Sequence, residues 1–450
     1  MNGRRLLAGV VVASVLATVL SLTWTVVLAP LRSGGSAAPE ASRPPAPGAA
    51  AVAAESPGPE WSTAWANAPA SAQKNNPAGF PGFTFRNVVH TTIGGPRIRI
   101  RITNRFGSAP VRFGHVTVAL SAHAGGRRDG IDDPSDGTAA PGTMRDVRFA
   151  GRTEVTVAQG ADALSDPIDL PVPADADLLI SVWTPTPAGR ATFHPDAKQI
   201  SFISRGPQDR AGDVTAAPFT MRTPYWWYVT AVEVTGAPGT IVALGDSITD
   251  GGASTDGANR RWPDYLAGRL ATSPVPDYGV VNSGISGNRL LLDAAFPRTR
   301  IYSIAGRSAL TRFADDVLDR SGVRTVIIVI GINDIVQAPR QADPAQITAG
   351  LAQVAARARA HGLHVIGATI TPWKGWPGYT PKIDQVRLAV NDWIRAGGDG
   401  AFDAVADMDQ AIRDPADPAQ LRREYHGGDY LHPNDAGLRA MANAIPLERL

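Results

Sequence analysis

The chain has 450 residues, of which 44% are hydrophobic and 19% are charged, and its formal net charge is +2. This composition is typical of a soluble protein with a real core, and so small a net charge does not by itself argue for nucleic-acid binding. Because the chain contains no cysteine, disulfides, thiolate metal sites and a cysteine nucleophile are excluded. The length predicts two globular units rather than one.

The N-terminus carries an export pattern. Arg4 and Arg5 precede an uncharged run, residues 6–31, which is long enough to span a bilayer. We therefore predict that residues 1–32 are a signal sequence or a membrane anchor, and the length of the run favours retention as an anchor. Residues 33–60, rich in Ala and Pro, are predicted to be a disordered linker. These features predict an exported protein, extracellular or held at the outer face of the cell membrane, with membrane contact through this segment only.

Residues 61–236 have short strand patterns separated by turn residues. The clearest is residues 97–102, where Arg and Ile alternate strictly, after a hairpin signal at Gly94-Gly95. We predict a β-sandwich of the jelly-roll kind. The stripe of Arg97, Arg99 and Arg101 could bind an acidic polymer or could be a solvated strand face. The aromatic run at 225–228 could stack on sugars or pack between domains.

Residues 237–450 alternate strand and helix patterns. Apolar strand-like runs occur at 240–244, 278–282, 323–330, 363–370 and 402–408, and helical patterns at 262–270, 309–320, 343–360, 381–395 and 434–445. Such alternation predicts an α/β domain with a parallel sheet covered by helices on both faces.

One serine in this second unit has the context of a nucleophile. Ser247 follows the first strand of the α/β pattern, where open sheets place their chemistry. Its hydroxyl needs a base, and His432 can accept that proton while Asp429 orients the imidazole from its other side. We therefore predict a catalytic triad of Ser247, His432 and Asp429.

Acyl transfer also needs hydrogen-bond donors for the developing oxyanion. The Ser247 backbone N–H, the Gly287 backbone N–H and the Asn333 side-chain amide are suited to this role, because each follows a predicted strand end. Gly284 is the nearby alternative to Gly287. We expect two further acids, Asp246 and Asp334, to brace their turns.

Four segments, GDSITDG at 245–251, NSGISGN at 282–288, GIND at 331–334 and DYLHPND at 429–435, resemble the sequence blocks of SGNH, or GDSL-type, hydrolases. The resemblance implies a flavodoxin-like, three-layer α/β/α fold, no metal or other cofactor, and the site roles given above. The first block reads GDSI instead of GDSL. More loosely, the β-rich front and the loop at 371–381 resemble secreted two-domain esterases similar to those of xylan-degrading systems.

Two further pairs of residues invite an interpretation. Trp373 and Trp376 follow the fourth strand and could line a substrate pocket or pack their loop. His361 and His364 have a spacing that metal ligands use, but no third ligand is in view, so we predict no metal site.

The sequence thus predicts a serine esterase acting on carboxylic esters with short acyl groups, such as acetylated polysaccharide or aryl esters. Two alternatives stay open. One is a lipase or acyltransferase for longer acyl chains, and the other is a carbohydrate-binding surface protein with a vestigial active site. The natural substrate and the oligomeric state do not follow from the sequence.

Overall fold

The structure, a computed structural model, describes residues 61–72, 76–123, 136–294 and 304–450. The segment Pro57–Leu450 forms one compact unit. The predicted signal sequence or anchor and the predicted linker lie outside the described residues. Among the helices that the structure describes, none combines the length and the apolar character needed to cross a bilayer.

The N-terminal half of the unit, the β-region, is built from short antiparallel strands. They are β1 (Trp61–Ala66), β2 (Ser71–Ala72), β3 (Phe83–Thr91), β4 (Gly95–Thr103), β5 (Val111–Phe113), β6 (His115–Leu120), β7 (Arg145–Asp146), β8 (Val155–Val157), β9 (Asp162–Leu164), β10 (Ile168–Val172), β11 (Ala176–Thr184), β12 (Thr192–His194), β13 (Ser201–Arg205), β14 (Met221–Thr223), β15 (Trp226–Trp227) and β16 (Val229–Thr235).

Two sheets of this region share one core. One has the order β1-β16-β4-β10, with β9 also on β4, and the other has the order β14-β13-β3-β11-β6-β7. The alternation in β4 places Ile98, Ile100 and Ile102 on the inner face, where they are fully buried against residues of the second sheet such as Leu178 and Ile180. Packing of two antiparallel sheets face to face confirms the predicted β-sandwich.

The arginine stripe on the other face of β4 pairs with acidic residues. Arg99 and Arg101 both pair with Glu233 of β16, which is buried, and Arg97 pairs with Asp169 at 2.8 Å. Each arginine of the stripe therefore has a carboxylate partner within the β-region.

The aromatic run at 225–228 belongs mostly to the sandwich core. Trp226, Trp227 and Tyr228 are at most 3% exposed, so their ring faces are not available to stack on a sugar. The Arg261 guanidinium of the α/β part lies 5.9 Å from the Trp226 ring, which also gives this ring a role in packing between the two parts.

The C-terminal half is the predicted α/β part. Its strands are β17 (Thr240–Gly245), β18 (Gly279–Gly284), β19 (Val323–Val329), β20 (His364–Ala368) and β21 (Ala404–Ala406). Its helices are α1 (Ser247–Asp250), α2 (Trp262–Leu270), α3 (Ala309–Phe313), α4 (Ile332–Val336), α5 (Pro344–Ala360), α6 (Pro381–Arg395), α7 (Met408–Ile412) and α8 (Asp435–Asn443), with a π-helical turn after α3 (Ala314–Leu318) and two 3₁₀ turns (Gly398–Gly400 and Leu447–Arg449).

These five strands are parallel and lie in the order β18-β17-β19-β20-β21. This is the flavodoxin-like order, in which the chain reverses its direction across the sheet after the second strand. Right-handed crossovers then place α2 on one face and α3, α5 and α6 on the other. The contacts agree, since α2 packs with α8, whereas α5 packs with α3 and α6. The predicted three-layer α/β/α fold is confirmed.

The β-region covers the edge of this parallel sheet. Thr92 exchanges hydrogen bonds with the Val280 backbone of edge strand β18, and the Thr63 N–H donates to Thr240 Oγ1 at 2.8 Å. Edge strands need such cover because their unpaired backbone groups otherwise recruit other chains. The two halves are therefore joined by hydrogen bonds between backbone groups and threonine hydroxyls beside the strand that leads to Ser247.

Candidate active site

Ser247 stands just beyond the carboxyl end of the interior strand β17 and is 8% exposed. Asp246 caps the short helix α1 by accepting a hydrogen bond from the Ile248 N–H at 3.0 Å. Gly245 makes the sharp turn possible, because a Cβ there would lie 2.0 Å from Thr249 Oγ1. The strand, the glycine and the cap together fix where the serine hydroxyl points.

His432 and Asp429 reach this serine from the C-terminal loop. His432 Nε2 lies 2.8 Å from Ser247 Oγ, and His432 Nδ1 lies 2.5 Å from Asp429 Oδ2. The loop is held by Asn434, whose side chain accepts hydrogen bonds from two N–H groups of the first turn of α8. Three side chains that are far apart in sequence thus form one continuous hydrogen-bonded chain.

The environment of Asp429 keeps it ionised. Partial burial favours the neutral acid, but hydrogen bonds from the His432 ring and from the backbone N–H groups of Leu431 and His432 outweigh it. The pKa of Asp429 is therefore held far below its usual range. Because the ionised Asp429 accepts a hydrogen bond from His432 Nδ1–H, Nε2 is the nitrogen that can accept a proton from Ser247.

The three predicted oxyanion donors face the same rim. The Ser247 N–H is at the start of α1, where no intrahelical acceptor exists. Gly287 has φ +79, and its N–H has no hydrogen-bond partner among the residues described. The Asn333 amide donates to the Asn288 carbonyl at 3.0 Å, which leaves its second N–H for a ligand.

Gln337 is a supporting residue that the sequence analysis missed. Its Nε2 donates to Asn333 Oδ1 at 2.7 Å and to the Gly287 carbonyl at 3.1 Å. It therefore orients the Asn333 amide and ties it to the Gly287 loop. The spacing could have revealed it, because residues four apart on a helix share a face.

Arg312 was also missed, and it lies beneath the strand ends. This guanidinium is 1% exposed and donates to the carbonyls of Gly245 and Ser283, to Asn288 Oδ1 and to Asp316 Oδ2, at 2.8–3.1 Å. It thus links the first two sequence blocks of the site. Only its pairing with Asp316 is local, because its other partners lie in two distant segments, at Gly245 and at residues 283–288.

The two acids expected to brace turns do so. Asp246 caps α1, as described, and Asp334 accepts hydrogen bonds from the N–H groups of Leu290 and Leu291 at 2.7 and 3.1 Å. Burial raises the pKa of Asp246 to about 7, against the hydrogen bond from Ile248 and the nearby His432. Asp246 therefore titrates near neutral pH in the folded protein.

The free energy of unfolding should respond to this titration. Above pH ~4 an unfolded Asp releases its proton, while folded Asp246 keeps it up to about pH 7, so wild-type stability falls as the pH rises through this window. Asp246→Asn preserves the cap but cannot ionise. We expect urea unfolding to show the variant gaining stability relative to wild type as the pH rises from about 4 to about 7, by about 1.4 kcal/mol for each pH unit. If the free energies of unfolding of Asp246→Asn and the wild type changed with pH in parallel, the raised pKa of Asp246 would be contradicted.

The two loop tryptophans differ from each other. Trp373 is fully buried and donates its indole N–H to Asp384 Oδ1 at 2.8 Å, so the prediction that it could line a substrate pocket is wrong. The indole points into the protein interior because its hydrogen-bond acceptor, Asp384, is buried. Trp376 is half-buried, and its ring lies edge-on, 5.8 Å from the His432 ring. Of the pair, Trp376 is the one beside the triad.

The histidines with metal-ligand spacing have other contacts. His361 Nδ1 lies 2.9 Å from the Arg357 carbonyl, and His364 Nδ1 lies 3.7 Å from Asp403. Within the described ranges, no group of three or more His, Asp or Glu side chains is arranged to hold a metal ion.

A cleft of about 470 Å³ lies apart from this site, between the β-region and helices α2 and α8. Its lining includes His90, Asp175, Tyr265, Arg269 and Arg439. Its size suits a ligand, but none of its lining residues belongs to the triad or to the oxyanion donors.

Comparison with known proteins agrees with the site. Residues 243–440 match the model of the GDSL-like lipase/acylhydrolase family. No curated protein matches the chain significantly. Among solved structures, a GDSL-like lipase from Bacteroides thetaiotaomicron is 21% identical, with 46% of this chain and 85% of that chain covered and a TM-score of 0.35. An acetyl xylan esterase from Geobacillus stearothermophilus is 21% identical, with 46% and 93% covered and a TM-score of 0.36.

At these identities and TM-scores, structural similarity does not indicate the substrate of this protein. The family match is stronger, because it spans the strand that leads to Ser247, both oxyanion segments and the loop that carries His432. Residues 243–440 therefore form a domain of the GDSL-like lipase/acylhydrolase family, and the chain is a carboxylic ester hydrolase.

Proposed function

We propose that the protein hydrolyses carboxylic esters with short acyl groups through an acyl-enzyme on Ser247. The observation that carries this proposal is the hydrogen-bonded chain from Ser247 Oγ through His432 to Asp429. A serine hydroxyl becomes nucleophilic when a neighbouring base takes its proton, and the carboxylate on the other ring nitrogen stabilises the imidazolium that results.

The first half of the reaction forms the acyl-enzyme. Ser247 Oγ attacks the ester carbonyl carbon while His432 Nε2 takes the hydroxyl proton, and the carbonyl oxygen becomes an oxyanion. The N–H groups of Ser247 and Gly287 and the Asn333 amide donate to that oxygen. When the intermediate collapses, the bond to the alcohol oxygen breaks, and His432 gives its proton to the departing alkoxide.

The second half uses water in place of the alcohol. His432 takes a proton from the water as its oxygen attacks the acyl carbon, and the same donors bind the second oxyanion. Collapse breaks the bond to Ser247 Oγ, which recovers the proton from His432. The products are the carboxylic acid and free enzyme.

One contact beside the triad bears on the alcohol part of the ester. Trp376 offers an aromatic edge beside His432, which suits the sugar or aryl part of an ester. We therefore propose acetylated polysaccharide or aryl esters as the substrate class, met outside the cell by an exported or anchored enzyme.

A graded ester series tests this proposal. We expect kcat/KM to be highest for p-nitrophenyl acetate, to fall steadily towards the palmitate, and to be accompanied by acetate release from acetylated xylan. Ser247→Ala supplies the background rate for each ester. A preference for long acyl chains would favour a lipase or acyltransferase. Failure of a fluorophosphonate probe to label Ser247 would favour a binding protein with a vestigial site.

A further inference from the structure

The β-region contributes a buried histidine to the catalytic half. His194, at the end of β12, is 2% exposed, and its Nε2 lies 3.0 Å from Asp250 Oδ1 in the nucleophile helix α1. The same nitrogen lies 3.2 Å from the Asp196 carbonyl, and Nδ1 lies 2.7 Å from the Ala68 carbonyl. Because carbonyl oxygens only accept hydrogen bonds, both ring nitrogens must carry a proton. His194 is therefore an imidazolium cation.

Asp250 also contacts the loop that carries Gly287, which is called the oxyanion loop below. Its Oδ2 accepts hydrogen bonds from the Ser286 N–H at 2.8 Å and from Ser286 Oγ at 2.9 Å. Ser286 directly precedes Gly287, and Asp250 lies three residues after Ser247, so one carboxylate joins the nucleophile helix to an oxyanion donor.

The charge on His194 matters because Asp250 is 2% exposed. A carboxylate buried this deeply is unfavourable without a cation beside it, so loss of the imidazolium is expected to displace Asp250. Burial alone would lower the pKa of His194, but the opposing attraction of Asp250 raises it above its ordinary value. Asp250 thus favours the charged form of His194.

We propose that His194 is a positioning residue for the esterase reaction, acting through Asp250 and Ser286 to aim the Gly287 N–H at the oxyanion. The inference rests on the proposed function, since it assigns a task within the same site. It makes the β-region a structural part of the active site and not a separate binding module.

The chain offers a matched control. His90 is also a buried histidine of the β-region, and it contacts two carboxylates, Asp175 at 2.9 Å and Asp177 at 2.8 Å. Neither of these acids belongs to the triad or to the oxyanion loop. Replacing it should disturb the β-region as much as replacing His194, without reaching Gly287.

The experiment compares His194→Ala, His194→Gln and His90→Gln by steady-state hydrolysis of p-nitrophenyl acetate, thermal unfolding and the rate of fluorophosphonate labelling. Loss of an oxyanion donor typically costs about 10²–10³-fold in kcat. We expect His194→Ala to lower kcat and the labelling rate about 10²-fold with KM nearly unchanged. His194→Gln keeps a donor towards Asp250 and should show a smaller loss. His90→Gln should keep wild-type kcat, although its Tm falls.

Wild-type kcat in either His194 variant would overturn the inference, and so would an equal loss of kcat in His90→Gln. If His194→Ala does not fold, the question is decided by His194→Gln and by Ser286→Ala, which removes one donor to Asp250. A lowered kcat with KM nearly unchanged in these variants supports the inference, and wild-type kcat overturns it. The wild type and Ser247→Ala are run beside them. Wild-type turnover that Ser247→Ala abolishes supports the proposed function whatever the His194 variants do, whereas turnover that survives Ser247→Ala contradicts it.

Discussion

Ser247→Ala is expected to lower kcat for p-nitrophenyl acetate by about 10⁴–10⁶-fold, the range found when a serine nucleophile is removed from a triad. The reason is that Ser247 Oγ alone lies 2.8 Å from His432 Nε2, and no acyl-enzyme forms without it. A residual rate above that in water should remain, because the oxyanion donors Gly287 and Asn333 are still in place.

Folding should be little affected by this change. Among the described residues, the Ser247 hydroxyl has a hydrogen bond to His432 alone, so Tm should stay close to that of the wild type. Ser273→Ala is the control, since its hydroxyl donates to the Leu270 carbonyl at the end of α2, away from the triad. Ser273→Ala should keep full turnover. Wild-type turnover in Ser247→Ala would contradict the mechanism.

Arg312→Met is expected to give the largest loss of stability, about 3–5 kcal/mol in the free energy of unfolding measured with urea. Methionine fills much of the space but donates no hydrogen bond. The change therefore leaves the carbonyls of Gly245 and Ser283 without their Arg312 donors, and Asp316 without one of its cations. Arg105 lies 3.2 Å from Asp316 and should compensate in part.

An exposed ion pair supplies the comparison. Arg359 pairs with Asp403, and its side chain is 41% exposed. Pairs of this kind contribute about 0–1 kcal/mol because water and salt screen them. Arg359→Met should therefore shift the urea midpoint only slightly. If Arg312→Met proved equally mild, the guanidinium would not hold the strand ends together as its contacts indicate.

Much of the fold follows from local patterns in the chain. The β-branched run 323–330 predicts a strand buried on both faces, and β19 occupies Val323–Val329. The alternation at 97–102 predicts which side chains face the core of the sandwich. The pattern at 309–320 was less accurate, because the α-helix ends at Phe313 and continues as a π-helical turn, where Arg312 and Asp316 turn inward to pair.

The side chains around the site were harder to predict. Trp373 and Trp376 have the same residue type and neighbouring positions, yet one is buried on Asp384 and the other lies beside His432. His194 had no distinguishing local signal, because its partner Asp250 is 56 residues away in the other half of the chain. Long-range contacts of this kind depend on how the sheets of the two halves pack together, and the spacing of apolar residues along the chain does not indicate that packing.

The sequence by itself determined the β-sandwich and α/β classes, the strand ends at which chemistry could occur, and the candidacy of Ser247 in its turn. These properties depend on the spacing of apolar residues and on turn residues, which act over a few positions. Only the tertiary structure decided that Ser247, His432 and Asp429 form one hydrogen-bonded chain, and that Arg312, Gln337 and His194 contact the segments around it. The physical reason is that these contacts join segments from both halves of the chain, and each buried charge is stable only where folding supplies its partner.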